Sequence, residues 1–268
     1  MKLQLVPART GFTWVKLGMK TFLRQPLAMA GLFFMFMAAV SVLSVVPLIG
    51  SAVSLVLVPA ATLGLMAATR EATEGRFPMP VMLITAFRSG AERARPMLIL
   101  GGLYAFSLLM VLALGSLFSD PRAMPVDLAN KEVTPEMMSA ALFSPGLWVA
   151  MLFYVPVLMA FWHAPALVHW HGVSPAKSLF FSLAACWGNR GAMFFYGIGW
   201  VGVFLLGGMA LSLLGALLGG AQAMQLILYP AVLLMAAMFH TSIFFSFRDS
   251  FSTGDSVRTP TSHVGDAP

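Results

Sequence analysis

From Leu27 to Thr69 the chain carries no charged side chain at all. A single helix of that length would reach roughly 65 Å, about twice the hydrocarbon core of a bilayer, so the run has to fold back on itself. The VVPLIGS segment, with Pro47 and Gly50, supplies the turn and gives spans near 27–46 and 49–68. Four further apolar runs follow, near 97–118, 147–169, 193–218 and 225–246. The fourth contains Pro156, His163 and Pro165 and is expected to kink. With 59% hydrophobic and 10% charged residues, against about 25% charged in soluble domains, the chain reads as an all-α integral membrane protein. The six spans make three hairpins in a single domain, 1–246, followed by a disordered cytoplasmic tail, 247–268.

Each hairpin is preceded by a short amphipathic segment. In the first, 11–25, Phe12, Val15, Met19 and Phe22 stand opposite Lys16, Lys20 and Arg24. In the second, 80–95, Val81, Ile84, Phe87 and Ala91 oppose Arg88, Glu92 and Arg95. In the third, 175–190, Leu179, Phe180, Leu183 and Trp187 lie on one side, and the polar face is weaker. All three are too short or too charged to cross a bilayer, so they are expected to lie in the interface with their apolar faces in lipid. Lys16, Lys20, Arg24, Arg88, Arg95 and Arg190 then become candidate contacts for anionic head groups. The order of parts repeats three times: interfacial helix, arginine, odd span, and an even span opening near Pro59, Pro156 or Pro230.

Fourteen of the 16 lysines and arginines fall at the N-terminus, after span two, after span four or in the tail, and only Arg122 and Lys131 lie on the other side. The positive-inside rule therefore places both termini in the cytoplasm of a bacterial inner membrane. The basic start precedes an apolar run far longer than a signal-peptide core and is expected to be retained. Residues 119–146 form the largest loop on the opposite side, where Thr134, Pro135 and Glu136 signal a short helix over about 135–143. The net charge of +6 flanks apolar runs and forms no stripe on a soluble domain, so no nucleic-acid partner is expected.

The chemistry available inside the membrane is narrow. All ten carboxylates lie outside the spans, as do the lysines and arginines, which leaves His163 in span four and His240 in span six as the ionisable candidates. Together with Trp200 they are candidate lining for an intramembrane polar site or cavity. His169 and His171 point about 200° apart on a helix, and Cys186 is the lone cysteine. No metal, cofactor or catalytic residue is expected. Seven glycines in or beside span five, Gly197, Gly199, Gly202, Gly207, Gly208, Gly215 and Gly219, allow close helix approach within the chain or between two copies in a homo-oligomer.

The segments WVKLGMKTFLRQPLAMAGLFFMF, VVPLIGSAVSLVLVPAATLGLMAATR and AFRSG resemble a family of six-helix bacterial inner-membrane proteins with no assigned activity. The likeness covers most of residues 12–246 and rests chiefly on Trp14, Lys16, Pro26, Pro47, Gly50, Pro59 and Gly64. More distantly, the plan is similar to the membrane domain attached to some glycerophosphodiester phosphodiesterases. The resemblance implies the fold and no activity, since no catalytic domain accompanies the membrane part here. The reading that follows is a non-enzymatic inner-membrane protein that binds or organises lipid or a membrane partner. The alternative is a transporter or exporter of a hydrophobic small molecule.

Overall fold

The structure, a computed structural model, describes residues 2–47, 49–119, 135–218 and 220–252; for 135–138, 221–225 and 252 it describes the backbone alone. A strand β1 (Lys2–Leu3) leads into α1 (Thr10–Arg24), α2 (Pro26–Ser44) and α3 (Gly50–Thr73). A 3-10 turn (Pro80–Ile84) and α4 (Thr85–Arg88) precede α5 (Ala91–Leu117), and α6 (Pro135–Leu142) precedes α7 (Pro145–Trp162) and α8 (Ala164–His171). The chain ends in α9 (Pro175–Gly188), α10 (Arg190–Leu218), α11 (Ala221–Ser250) and β2 (Phe251–Ser252). Six segments are long and apolar enough to cross a membrane: α2, α3, α5, α7 with α8, α10 and α11. This is an all-α integral membrane fold.

The helices run past the apolar runs that define them. Arg70 sits in the last turn of α3, and α5 begins at Ala91, six residues before the expected span, taking in Glu92, Arg93 and Arg95. A helix need not stop where the hydrocarbon stops, because arginine stems snorkel along apolar surface while the guanidinium stays in the polar zone. Likewise α11 continues beyond 246 to Ser250 and passes into β2, which pairs antiparallel with β1, Leu3 opposite Phe251. The expected tail therefore begins inside a helix and a strand, and 253–268 lie outside the described residues. The strand pairing holds residues 2–3 and 251–252 on one face of the bundle.

Two of the three amphipathic segments depart from the helices expected, while the third turns its bulky side outward. The side α1 buries is Gly11, Trp14, Val15, Gly18, Thr21 and Phe22, while Phe12 is exposed. That side is a protein interface, since α1 packs on α10 and α11. A Cβ added at Gly18 would lie 2.3 Å from the Ser242 Cβ, and one at Gly11 2.1 Å from the Ala192 carbonyl oxygen, so only glycine lets these backbones approach. The second segment is not one helix. It is a 3-10 turn and a single turn of α4, and it breaks at Ser89–Gly90, where Gly90 has φ +84°. The residues from Ala91 to Arg95 belong to the spanning helix α5. In α9 the inward side is Ser178, Ser182, Ala185 and Cys186, and the bulky Phe180, Leu183 and Trp187 face out.

The contacts follow a cyclic order. Each lead segment rests on the even span of the preceding unit: the Pro80–Arg88 segment on α3, α9 on α7 and α8, and α1 on α11. The odd spans α2 and α5 each sit between their own even span and the preceding one, and α10 packs on α11 while Tyr196 meets Trp162 of α7 at 5.8 Å. The even span α3 is the most enclosed. Of its most apolar 18-residue stretch 61% is buried, against 6% for α10, which lies at the rim. Larger buried side chains concentrate where α1, α3, α8 and α11 meet, including Trp14, Met66, Leu167 and Phe245.

Candidate functional site

The break in span four is built from its sequence. Pro165 has no N–H, and its ring crowds the carbonyl four residues back, so the helix cannot run on continuously from Phe161. The fully buried His163 occupies the junction between α7 and α8. Its backbone N–H, which in an unbroken helix would donate to Met159, donates instead to the Ser182 hydroxyl at 2.8 Å. Ser182 in turn donates to the Met159 carbonyl at 2.7 Å. One hydroxyl from α9 thus fills a gap in the backbone ladder of α7, and the Cys186 thiol adds a weaker contact to the same carbonyl at 3.6 Å. Burial pushes the Cys186 thiol up to about 12, so it stays protonated at neutral pH and is a poor nucleophile.

The His163 ring meets α11. Its Nε2 lies 3.3 Å from Ser246 Oγ, which also accepts from Trp162 Nε1 at 3.0 Å and donates its own proton to the Ile243 carbonyl at 2.7 Å. With the serine proton committed, Nε2 is the N–H donor, and Nδ1 is left to face the Cys186 sulfur at 3.8 Å. That polarity is the reverse of a base activating a serine. One helical turn earlier Ser242 repeats the arrangement: its hydroxyl donates to the Phe239 carbonyl at 2.6 Å and receives Trp200 Nε1 at 3.1 Å and the Tyr196 hydroxyl at 2.5 Å. One turn later Ser250 receives Asn189 Nδ2 at 3.3 Å, and Asn189 also ties down the Gln4 carbonyl and the Val6 N–H. A serine stripe on α11, at four-residue spacing, therefore gathers donors from α7, the α7–α8 junction, α10 and the α9–α10 junction. The spacing Ser242, Ser246, Ser250 was visible in the sequence and is the signal the sequence reading passed over.

His163 and His240 do not meet. His240 donates from Nδ1 to the Ala236 carbonyl at 2.8 Å and stacks near the Phe33 ring of α2 at 5.1 Å, while His163 lies among α8, α9 and α11. Trp200 is buried with its indole N–H on Ser242. Neither of the two concavities described below is lined by these three residues. Among the described residues no group of three or more histidine, cysteine, aspartate or glutamate side chains converges as a metal site.

Lys16, Lys20, Arg24, Arg88, Arg95 and Arg190 are all exposed, spread over three segments and not gathered into one site. Arg93, not singled out by the sequence, has a defined role. Its Nη1 donates to the carbonyls of Val168 at 3.3 Å and His169 at 2.9 Å, satisfying the open end of α8 beside Gly172 at φ +64°. Between α1 and α10 lies an apolar groove of about 500 Å³, walled by Phe12, Val15 and Met19 on one side and Ile198, Val203 and Leu206 on the other, with Lys16 among its lining. Gly199 and Gly202 form its floor. Gly199 is held under Val15 and Phe12, whereas Gly197, Gly202 and Gly208 have open space where a Cβ would sit. A second cavity lies at the end of the bundle where α3, α8 and α11 finish.

Six apolar spans define a multi-pass integral membrane protein. The chain is 36% identical over 254 residues to a protein of Burkholderia thailandensis described as a probable inner membrane protein, the match covering 94% of each chain. It belongs to that family of bacterial inner-membrane proteins. No family model matches the chain, and no solved structure matches it. Nothing in these comparisons links it to glycerophosphodiester phosphodiesterases.

Proposed function

We propose that this protein is a non-enzymatic lipid-binding component of the inner membrane, with both termini in the cytoplasm and its basic end on the anionic leaflet. The groove between α1 and α10 carries the reading. It is apolar along its walls, it lies on the rim helix α10 and it has Lys16 in its lining. An acyl chain laid along Ile198, Gly202 and Leu206 fits that surface, with its phosphate at the lysine. The exposed Lys20 and Arg24 continue the same helix and extend the positive field toward the head groups.

The interior supports a binding role over transport. The intramembrane histidine and tryptophan candidates are engaged in packing and hydrogen bonds, where a carrier needs an accessible polar site. Native mass spectrometry of gently extracted protein tests the lipid reading. Wild type is expected to retain phosphatidylglycerol or another anionic phospholipid. Gly202→Leu, which fills the groove without an existing neighbour to displace, is expected to lose it with helix content unchanged. Equal retention by both proteins refutes the assignment of the groove.

A further inference from the structure

At the basic end of the bundle the last turns of α3, α8 and α11 surround a cavity of about 600 Å³. Its lining includes Arg70 and Glu74 at the end of α3, Trp170 from α8, and Phe244, Phe247 and Arg248 from α11. No lining residue comes from α2, α5 or α10. The cavity is thus bounded by the ends of the even spans and by Gln4, next to β1.

The walls have a definite chemistry. Trp170 lies 5.3 Å from the Phe247 ring and 6.2 Å, edge on, from Phe244, which makes a continuous aromatic surface. Arg70 stands 6.0 Å from the Trp170 ring centre, and Arg248 is 5.0 Å from that of Phe245. Each arginine meets one carboxylate, and each through Nε only: Arg70 to Glu74 at 3.4 Å and Arg248 to Asp249 at 2.8 Å. Glu74 is shared with Arg76, which also takes Glu71. Among the described residues the Nη groups of Arg70 and Arg248 have no hydrogen-bond partner. Arg70 and Arg248, both half-exposed, thus line one cup, and among the described residues their Nη donors are free to take a ligand.

We infer that this cup binds a small water-borne anion, a phosphate ester with a flat apolar body, its phosphate held by Arg70 and Arg248 and its body against Trp170 and Phe247. The site is separate from the lipid groove and does not depend on it. Phosphate esters also occur as lipid head groups. The absence of any lining from the odd spans, the lipid-facing rim helix α10 among them, favours the soluble source.

The test is calorimetric titration of phenyl phosphate into the full-length protein in phosphatidylcholine nanodiscs. Saturable binding is expected, weakened about tenfold or more, roughly 1.4 kcal/mol, in Arg70→Gln/Arg248→Gln and unchanged in Lys177→Gln. Glu74→Gln removes the acid on the rim and is expected to tighten binding about threefold, so the inference stays testable if the double variant does not fold. Inorganic phosphate is expected to bind more weakly than phenyl phosphate. No saturable binding, or binding indifferent to both arginines and to Glu74, overturns the site. Equal affinity for inorganic phosphate overturns the aromatic body. Loss of phenyl phosphate binding in discs containing phosphatidylglycerol overturns the water-borne source, because a lipid head group then holds the cup.

Discussion

Ser182→Ala isolates the join in span four. The serine hydroxyl accepts from the His163 N–H at 2.8 Å and donates to the Met159 carbonyl at 2.7 Å, the first of these bonds being buried and the second part-buried. Removing it strands the N–H, at a cost of about 1–3 kcal/mol for an unsatisfied buried donor. The carbonyl keeps only the thiol contact from Cys186 at 3.6 Å. Direct closure of the ladder is opposed by Pro165, whose ring keeps the two half-helices apart. The expected loss is therefore about 2 kcal/mol, well above the ~0.6 kcal/mol average for an interhelical hydrogen bond in a membrane protein, because two backbone groups depend on one side chain. Unfolding by SDS in mixed micelles, followed by far-ultraviolet circular dichroism, measures it. Ser116→Ala is the control: that hydroxyl is exposed and bonds only to Ala113 in its own helix at 2.8 Å, so its change should stay within about 0.5 kcal/mol. A loss for Ser182→Ala no greater than for Ser116→Ala refutes the bridge.

Two further outcomes are expected. Burial favours the neutral Cys186 thiol, so the folded chain holds this proton more tightly than the unfolded one. The resulting stability is complete below the ordinary thiol value of 9.0 and declines as pH rises toward about 12. A maleimide at pH 8 should leave the folded protein unmodified and label it after SDS unfolding, whereas labelling of the native state contradicts the packing. For orientation, a topology reporter fused after Asn130 should read periplasmic and one after Gly254 cytoplasmic, and the reverse pattern overturns the proposed placement of the termini.

The spans were legible because charge is excluded from hydrocarbon, and that rule needs no knowledge of neighbours. Gly90 shows where legibility ends. The 80–95 segment has the periodicity of one helix, yet its glycine adopts φ +84° and hands the next five residues to α5. Periodicity marks which residues share a face and is blind to a single residue that leaves the helical region. The cup at the bundle end was hidden for a different reason. Arg70, Trp170 and Arg248 are far apart in sequence, and only the convergence of three span ends brings them around one space.

The sequence reading laid the apolar sides of the amphipathic segments in lipid and left their other sides to head groups and solvent, whereas α1 and α9 turn glycine, serine and cysteine toward protein neighbours. In a bilayer the lipid is as apolar as any core, so bulk gains little by turning inward, while small residues gain close packing and polar groups gain the partners that lipid does not offer. The helix α9 shows the consequence: Ser178, Ser182 and Cys186 are buried and Phe180 and Trp187 look outward. The helix α1 packs closely through Gly11 and Gly18 but also buries bulk, Val15, Phe22 and Trp14, whose indole N–H reaches Asp249 at 2.9 Å. For a chain of this composition the inner face is better sought along serine, glycine and cysteine at four-residue spacing than along leucine and phenylalanine. That criterion alone selects Ser178, Ser182 and Cys186 on α9 and Ser242, Ser246 and Ser250 on α11, the two stripes between which His163 is held.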